Sequence, residues 1–337
     1  MRSHLGPITF LILLIIYPWV VSDSYYQHLM ILVLMWVAIG SGWNLIAGFT
    51  GQVSFGDAAF FGTGAYASAL LAHKLGVSAW WGLAIGGFVA VIIAYPFGWI
   101  CFRLRGAYFA LATLALNEVM RHIATIWESL TEGMVGILVM QTFVSKVPYY
   151  YIALVIAVMS LVTVELVINS RWGYYFVSIR EDQDTAESIG IDTHYYKMTS
   201  LSLAAFLTGL AGSLYTNYMG FIDPSIVFSL HDISIMAILV GIVGGVGTVY
   251  GPAVGAFIMV AVSEIFRTGG FGFLENLTRA TSSPLVATIT KYVKEAHVFS
   301  FGILVILVIL FMPNGVVGDW KVLVQKFRSR RSRAPEG

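Results

Sequence analysis

Residues 48–66 read GFTGQVSFGDAAFFGTGAY, and this stretch decides how the surrounding chain folds. It is rich in glycine and carries one acid, Asp57, inside an otherwise apolar region. In hydrocarbon every backbone N–H and C=O group needs a partner, so helix-breaking sequence at membrane depth occurs only where it is buried in protein or lines a cavity. Residues 48–56 are therefore either a loop between two spans or a broken helix along a substrate path. Gly62 and Gly64 are predicted to be close-packing positions on the following helix.

The composition places the chain in the membrane. Of its 337 residues, 58% are hydrophobic and 11% are charged, and the mean hydropathy is +0.81. A soluble domain carries roughly 25% charged residues, so this is a polytopic membrane protein. A net charge of +1, with no basic patch in the body of the chain, argues against a nucleic-acid partner. The single cysteine, Cys101, excludes a disulfide within the chain and most thiolate metal sites.

The apolar runs predict an all-α integral membrane protein with about ten transmembrane helices, some of them short or broken. The first run has the outline of a signal sequence, but the later spans fit a topology in which it stays as an uncleaved first helix. The predicted spans cover residues 8–21, 29–47, 58–72, 79–101, 107–127, 149–168, 199–220, 233–249, 252–266 and 298–312.

The basic residues predict the orientation of the chain. With the N-terminus in the cytoplasm, most of the 19 lysines and arginines fall on the cytoplasmic side, which favours both termini inside. The predicted organisation is a transmembrane domain over residues 1–318, with a cytoplasmic loop at 170–198 and an outer, periplasmic loop at 268–297. A basic cytoplasmic tail at 319–337 follows, and its charges suit anionic membrane lipid.

The cytoplasmic segment 170–198 reads SRWGYYFVSIREDQDTAESIGIDTHYYKM. Its residues 178–189 predict one helix with Ile179, Ala186 and Ile189 near one face and charged side chains on the others. Gly190 is predicted to end this helix, as a C-terminal glycine does. A short charged helix with a small apolar face, held between two spans, is a natural docking element. A solvated loop is the alternative.

Polar residues inside the apolar regions are candidate functional residues, because ionisable groups are costly in a membrane. Glu118 and Arg121 are three residues apart on one predicted span and are expected to form an intramembrane ion pair. A structural pair near the membrane interface is at least as good an explanation as a substrate site. Glu264 and Arg267 repeat the same spacing on a later span.

The interrupted stretch at residues 48–56 and its neighbours supply the candidates for a substrate path. A second glycine-rich segment at residues 241–255 resembles the first in separating two spans near the cytoplasmic side. Both breaks are hypothesised to meet the translocation path. The residues predicted to line it are Asn44, Gly48, Gly51, Gln52, Ser54, Asp57, Gly244 and Gly245.

Several enzyme classes are excluded by missing motifs. No G-x-x-x-x-G-K-[ST] phosphate loop occurs, so the chain does not hydrolyse ATP by the usual P-loop route. No H-E-x-x-H motif, Cys/His metal spacing or G-x-S-x-G nucleophile turn occurs either. The chain is expected to be a transporter component without catalytic residues, cofactor or metal of its own. Its energy then comes from a partner or an ion gradient.

Three segments, taken with the stretch at 48–66, resemble the permease subunits of branched-chain amino acid ABC importers. They read FRLRGAYFALATLALNEVMRHI from residue 102, SRWGYYFVSIREDQDTAESIGIDTHYYKMTSLSLAAFLTGLAGSLY from 170, and LVGIVGGVGTVYGPAVGA from 239. A closing FMPNG follows at residues 311–315. The similarity covers nearly all of residues 29–318, and the order and spacing of these motifs are more specific than any one glycine cluster.

The resemblance implies a set of partners. They are a second homologous permease subunit, two cytoplasmic ATP-binding subunits that carry ATP and Mg, and a periplasmic substrate-binding protein. The segment 170–198 would be the loop that couples the permease to the ATPase. Its core would be Arg180, Glu181, Ala186, Glu187, Gly190 and Ile191. Asp57 departs from this family, which commonly has histidine after the SFG or SLG triplet.

The expected function is translocation of branched-chain or related neutral, apolar amino acids across the bacterial inner membrane. Urea, short amides and small aromatic acids suit an apolar passage nearly as well. The alternative class is an autonomous secondary transporter driven by a gradient, in which Asp57 and Glu118 would be the relay carboxylates. Whether two copies of this chain pair, or one copy pairs with a homologue, stays open.

Overall fold

The computed structural model describes residues 5–267 and 315–318. The predicted periplasmic loop at 268–297, the span at 298–312 and the basic tail at 319–337 lie outside the described residues. Over the described range the chain folds as a succession of helices. The only strands there are two short ones, β1 (Ile137–Leu138) and β2 (Phe221–Ile222), which pair antiparallel.

The helices follow the apolar runs of the sequence. The long ones are α1 (Leu5–Val20), α2 (Ser24–Trp43), α3 (Asp57–Leu75), α4 (Ala79–Cys101), α5 (Ala107–Ile126), α7 (Lys146–Ile168), α10 (Thr193–Met219) and α13 (Gly251–Arg267). The shorter ones are α6 (Glu128–Thr131), α8 (Arg171–Glu181), α9 (Gln183–Ser188), α11 (Pro224–Val227) and α12 (Met236–Gly244). Two π-helical turns, Asn44–Phe49 and Leu230–Ile235, extend α2 and precede α12.

The all-α membrane fold is confirmed at this level. In the described part of the chain, 5 helical segments are long and apolar enough to cross a membrane. They are Ser24–Phe49, Trp80–Cys101, Lys146–Ile168, Thr193–Met219 and Pro224–Gly244, while Phe10–Val20 and Gly251–Ile265 form shorter apolar helices. Polar residues such as Glu118 and Arg121 lower the hydropathy of α5. The count of ten spans and the orientation remain predictions.

Helix α10 forms the centre of the bundle and packs most extensively against α3 and α4. Small residues allow this close approach. A Cβ added at Gly64 would lie 2.2 Å from the carbonyl oxygen of Gly209, and one added at Gly212 would lie 2.0 Å from that of Phe61. A Cβ at Gly62 would lie 2.4 Å from the ring of Phe228. The prediction that Gly62 and Gly64 are close-packing positions is confirmed.

The prediction of one helix over residues 178–189 is wrong. Asp182 interrupts it with extended backbone angles, φ −159° and ψ 112°, and separates α8 from α9. Its carboxylate accepts a hydrogen bond from the Thr185 N–H at 2.8 Å, so the residue caps a new helix instead of continuing the old one. Ile179 and Ala186 are buried, but Ile189 is 71% exposed and does not share their face.

Candidate translocation and coupling site

The first break begins where α2 loosens into the buried π-helical turn at Asn44–Phe49. From Gly51 the chain is non-helical until α3 starts at Asp57. Gly51 has φ +72°, a left-handed backbone conformation that residues other than glycine rarely adopt. A π-helical turn of this kind often marks a functional site. Residues 44–50 are buried, whereas Gly51 and Val53 are exposed, so the stretch at 48–56 is an interrupted helix end followed by a partly exposed connection to α3.

The second break separates α12 from α13. Gly245 and Gly247 have φ of +127° and +70°, so the chain reverses through conformations that favour glycine. A Cβ added at Gly244 would lie 1.9 Å from the Gly251 carbonyl oxygen, and one at Gly255 would lie 1.9 Å from that of Val240. The two helices thus form a hairpin whose close contact depends on the absence of side chains.

Asn44 joins the two breaks. Its Nδ2 donates to the Thr248 carbonyl oxygen at 2.8 Å, and its Oδ1 accepts from the Gly247 N–H at 2.8 Å. Gly48 lies beside this pair, because a Cβ there would be 2.6 Å from the Gly247 nitrogen. One buried amide therefore satisfies backbone groups that the second break leaves without helical partners. The structure brings Asn44 and Gly48 together with the second glycine-rich segment.

Three side chains hold the start of α3 in place. The Phe55 N–H donates to Thr113 Oγ1 at 3.1 Å, and the Ala58 N–H donates to Ser234 Oγ at 2.9 Å. Ser54 Oγ accepts from the Gly56 N–H at 3.0 Å. Helix α5 and the second π-helical turn thereby supply acceptors for backbone N–H groups at the start of α3.

Asp57 is 1% exposed at this N-terminus. Neither of its carboxylate oxygens has a hydrogen-bond partner among the described residues. The start of a helix favours negative charge, but burial of an unpaired carboxylate is costly. Gln52 is similar, since its Oε1 is buried without a partner in the described part of the chain. Ser54 is also buried, and its carbonyl oxygen accepts from Trp43 Nε1 at 3.1 Å.

Asn117 is a polar residue that the sequence reasoning missed. It is fully buried on α5, one turn beyond Thr113, and its Nδ2 donates to the Phe228 carbonyl oxygen at 3.2 Å. Its Oδ1 has no partner among the described residues. An amide side chain inside an apolar run could have identified Asn117 as a candidate, but only the neighbouring charged residue, Glu118, was considered. Asn117 belongs with Asp57 to the polar residues buried among α3, α5 and the second π-helical turn.

Glu118 and Arg121 form an ion pair on α5. Arg121 Nη2 lies 2.7 Å from Glu118 Oε2, and each side chain is about a third exposed, at 33% and 35%. Among the described residues, neither side chain makes a hydrogen bond to Asn44, to Gly48 or to the second break.

The segment 170–198 is fixed to α10 by Lys197, a second residue that sequence reasoning missed. Lys197 is 1% exposed on the first turns of α10, and its Nζ donates to Gln183 Oε1. Gln183 Nε2 donates in turn to Glu187 Oε1 at 2.9 Å, and the same oxygen accepts from Thr193 Oγ1 at 2.6 Å. These hydrogen bonds from Gln183 and Thr193 lower the pKa of Glu187 below its usual value. The network secures α9 on the start of α10.

The remaining proposed coupling residues differ in their exposure. Gly190 has φ +89° and open space around it, and the Ile191 N–H donates to the Ala186 carbonyl oxygen at 3.0 Å, which closes α9. Ala186 is buried against the body, whereas Glu181 is 68% exposed at its side chain. Hydrogen bonds from the Thr185 backbone and side chain lower the pKa of Asp182. The segment thus presents charged groups and a glycine turn on a firmly anchored base.

No group of His, Cys, Asp and Glu residues in the described ranges could hold a metal ion. The fold and these contacts define a class: a helical multi-pass membrane protein with two interrupted helices joined at a buried junction and a structured polar connection between spans. Interrupted helices that line a path are a feature of transporters. The chain belongs to the family described as branched-chain amino acid transport system, permease component, which matches residues 25–312.

Individual relatives agree with the family. The chain is 26% identical over 303 residues to the high-affinity branched-chain amino acid transport system permease protein LivM of Escherichia coli K12, covering 79% of this chain and 69% of that protein. It is 24% identical over 303 residues to the corresponding LivH protein, covering 83% of this chain and 90% of LivH. A probable LivM permease of Methanocaldococcus jannaschii is 22% identical over 234 residues, 68% of this chain and 65% of that protein. No solved structure matches.

Proposed function

We propose that this chain is the membrane-spanning permease subunit of an ABC importer for branched-chain or related neutral, apolar amino acids. Membership of the permease family supports this most directly. The work is divided among partners: a second homologous permease, two cytoplasmic subunits that bind ATP and Mg, and a periplasmic binding protein. The relatives named LivM and LivH come from one transport system, which suggests that two different permeases pair.

The proposed topology has about ten spans with both termini in the cytoplasm of a bacterial inner membrane. The permease domain covers residues 1–318, with the coupling loop at 170–198, the periplasmic loop at 268–297 and the lipid-facing basic tail at 319–337. In this orientation α8 and α9 face the ATP-binding subunits. Ile191 and the five other proposed coupling residues all lie in or directly after these two helices.

The proposed path runs past the two breaks. Asn44, Gly48, Gly51, Gln52, Ser54 and Asp57 line its first side, and Gly244 and Gly245 line its second. A neutral zwitterion needs few polar contacts in an apolar passage. The unpaired carboxylate of Asp57 and the unpaired Oδ1 of Asn117 are acceptors that suit an ammonium group. Asp57 is therefore proposed to set substrate preference.

Affinity purification in mild detergent from the native host tests the assembly. We expect to recover this chain together with one related permease and two P-loop subunits, with one P-loop subunit for each permease. The recovered assembly is expected to have ATPase activity. The chain recovered alone and still able to transport would contradict the proposal. In that case Asp57 and Glu118 would be tested as the ion relay of a secondary transporter.

A further inference from the structure

Arg180 lies where the cytoplasmic segment meets both helix breaks. Its Nη1 donates to the Gly48 carbonyl oxygen of the first break at 3.1 Å. A Cβ added at Gly51 would lie 3.0 Å from Arg180 Cγ, and one at Gly247 of the second break would lie 3.1 Å from Nη1. The arginine side chain thus fills the space that these glycines leave open.

The other side of the same guanidinium faces the cytoplasmic surface. Arg180 Nη2 lies 2.7 Å from Glu181 Oε1, and Nε donates to the same oxygen at 3.2 Å. Glu181 is mostly exposed. The planar guanidinium therefore binds the exposed Glu181 carboxylate through Nε and Nη2. Its Nη1 binds the backbone carbonyl of Gly48 in the first break.

An apolar contact one helical turn earlier reinforces this connection. Phe176 on α8 is fully buried in a cluster with Leu45 and Phe49 of the first break and Val164 of α7. Residues four apart lie on one face of a helix, so Phe176 and Arg180 bind α8 to the first break side by side. Movement of α8 must then move the break or separate it from Arg180.

We infer that Arg180 is the positioning residue that transmits displacement of the cytoplasmic segment to the junction of the two breaks. The inference rests on the proposed function, since it needs a partner that displaces α8. Pressure on the exposed side, at Glu181, moves the guanidinium and with it the bond to the Gly48 carbonyl. Because Gly48 packs on Gly247, both breaks respond together.

Spin labels on the two breaks measure this transmission. Val53 and Val246 are 46% and 45% exposed, so cysteines there accept labels in a Cys101→Ala background. The full assembly is placed in lipid nanodiscs, and the distance between labels is measured without nucleotide and after trapping with ATP and vanadate. The wild-type arginine is expected to give a nucleotide-dependent shift in distance.

Arg180→Ala is expected to lose the shift, and uptake per ATP hydrolysed is expected to fall, because the hydrogen bond that carries the displacement to the Gly48 carbonyl is gone. Arg180→Lys, which keeps the charge without the planar fork, is expected to behave similarly and serves if the alanine variant does not assemble. Arg171→Ala is the matched control. Arg171 lies on the same helix and is exposed, and its side chain makes no hydrogen bond or ion pair with the described residues.

The outcomes separate the inference from the proposed function. A wild-type shift that persists in both Arg180 variants, with unchanged uptake per ATP, overturns the inference alone. Equal loss in Arg171→Ala also overturns it, because the effect would then belong to α8 in general. A wild-type assembly with neither ATPase activity nor a shift refutes the proposed function and the inference with it.

Discussion

At the scale of single residues, Asp57 puts a carboxylate where the described structure offers it no hydrogen-bond donor. A buried polar group left unpaired costs roughly 1–3 kcal/mol of stability, and more when it is charged. Such a residue is a poor choice for stability alone. Its position at the start of α3, directly after the first break, is consistent with a role in what the path accepts.

Replacement of Asp57 tests that role. Asp57→Asn removes the charge with little change of volume, and Asp57→His introduces the residue common in the family. Both are expected to change which amino acids compete for uptake while the amount of protein in the membrane stays near wild type. Competition assays in cells and quantitative blotting measure the two effects. An unaltered competition profile with a fall in protein level would make Asp57 structural.

Gly190 and Glu181 carry the prediction for coupling. Gly190→Val forces a β-branched side chain into φ +89°, and Glu181→Lys reverses an exposed charge beside Arg180. Gly190→Val strains this turn by about 1–3 kcal/mol, and Glu181→Lys breaks the ion pair with Arg180, so each is expected to lower uptake per ATP hydrolysed. Gly190→Asn is the control, since asparagine tolerates the left-handed conformation. Unchanged coupling in both altered chains would remove the docking role of the segment.

Sequence reasoning reached part of the site at this scale. Asn44, Gly48 and Gly51 stood out because polar and glycine residues next to a break need a reason to be in a membrane. The hydrogen bond between Asn44 and Gly247 was not predicted, because it joins segments some 200 positions apart in the chain. The burial of Lys197 was not predicted, because nothing in its local sequence shows that α9 packs over it.

At the scale of elements, small residues let α3, α4 and α10 approach closely. Gly64→Val is expected to destabilise the protein by about 1–3 kcal/mol or more, because its side chain would meet the backbone of Gly209. Thermal unfolding in detergent and the level of membrane-inserted protein measure the loss. Ala67→Val, at a partly exposed position of the same helix, is the control. Equal stability of the two variants would contradict the packing described here.

Helix bounds were largely predictable because apolar length and glycine or charge at the ends determine them. Residues 79–101 were predicted as a span and form α4. The division between α8 and α9 was not predicted, since the local sequence supports one continuous helix. Capping by Asp182 and anchorage of Gln183 on Lys197 favour two helices instead, and the second of these contacts exists only in the folded chain.

At the scale of the whole molecule, labelling from one side of the membrane tests the proposed orientation. In a Cys101→Ala background, Leu75→Cys is expected to react with a membrane-impermeant maleimide added to spheroplasts. Tyr174→Cys is expected to react only after permeabilisation, although both positions are exposed in the structure. The opposite pattern would place the proposed coupling segment outside the cell and exclude contact with cytoplasmic ATPases.

Reconstituted transport tests the central claim most directly. The purified assembly is placed in proteoliposomes, and uptake of radiolabelled leucine is followed with the binding protein on one side and ATP on the other. Uptake is expected to require both and to continue when the proton gradient is collapsed. Uptake by this chain alone, driven by an imposed ion gradient without ATP, would contradict its assignment as a subunit of an ABC importer.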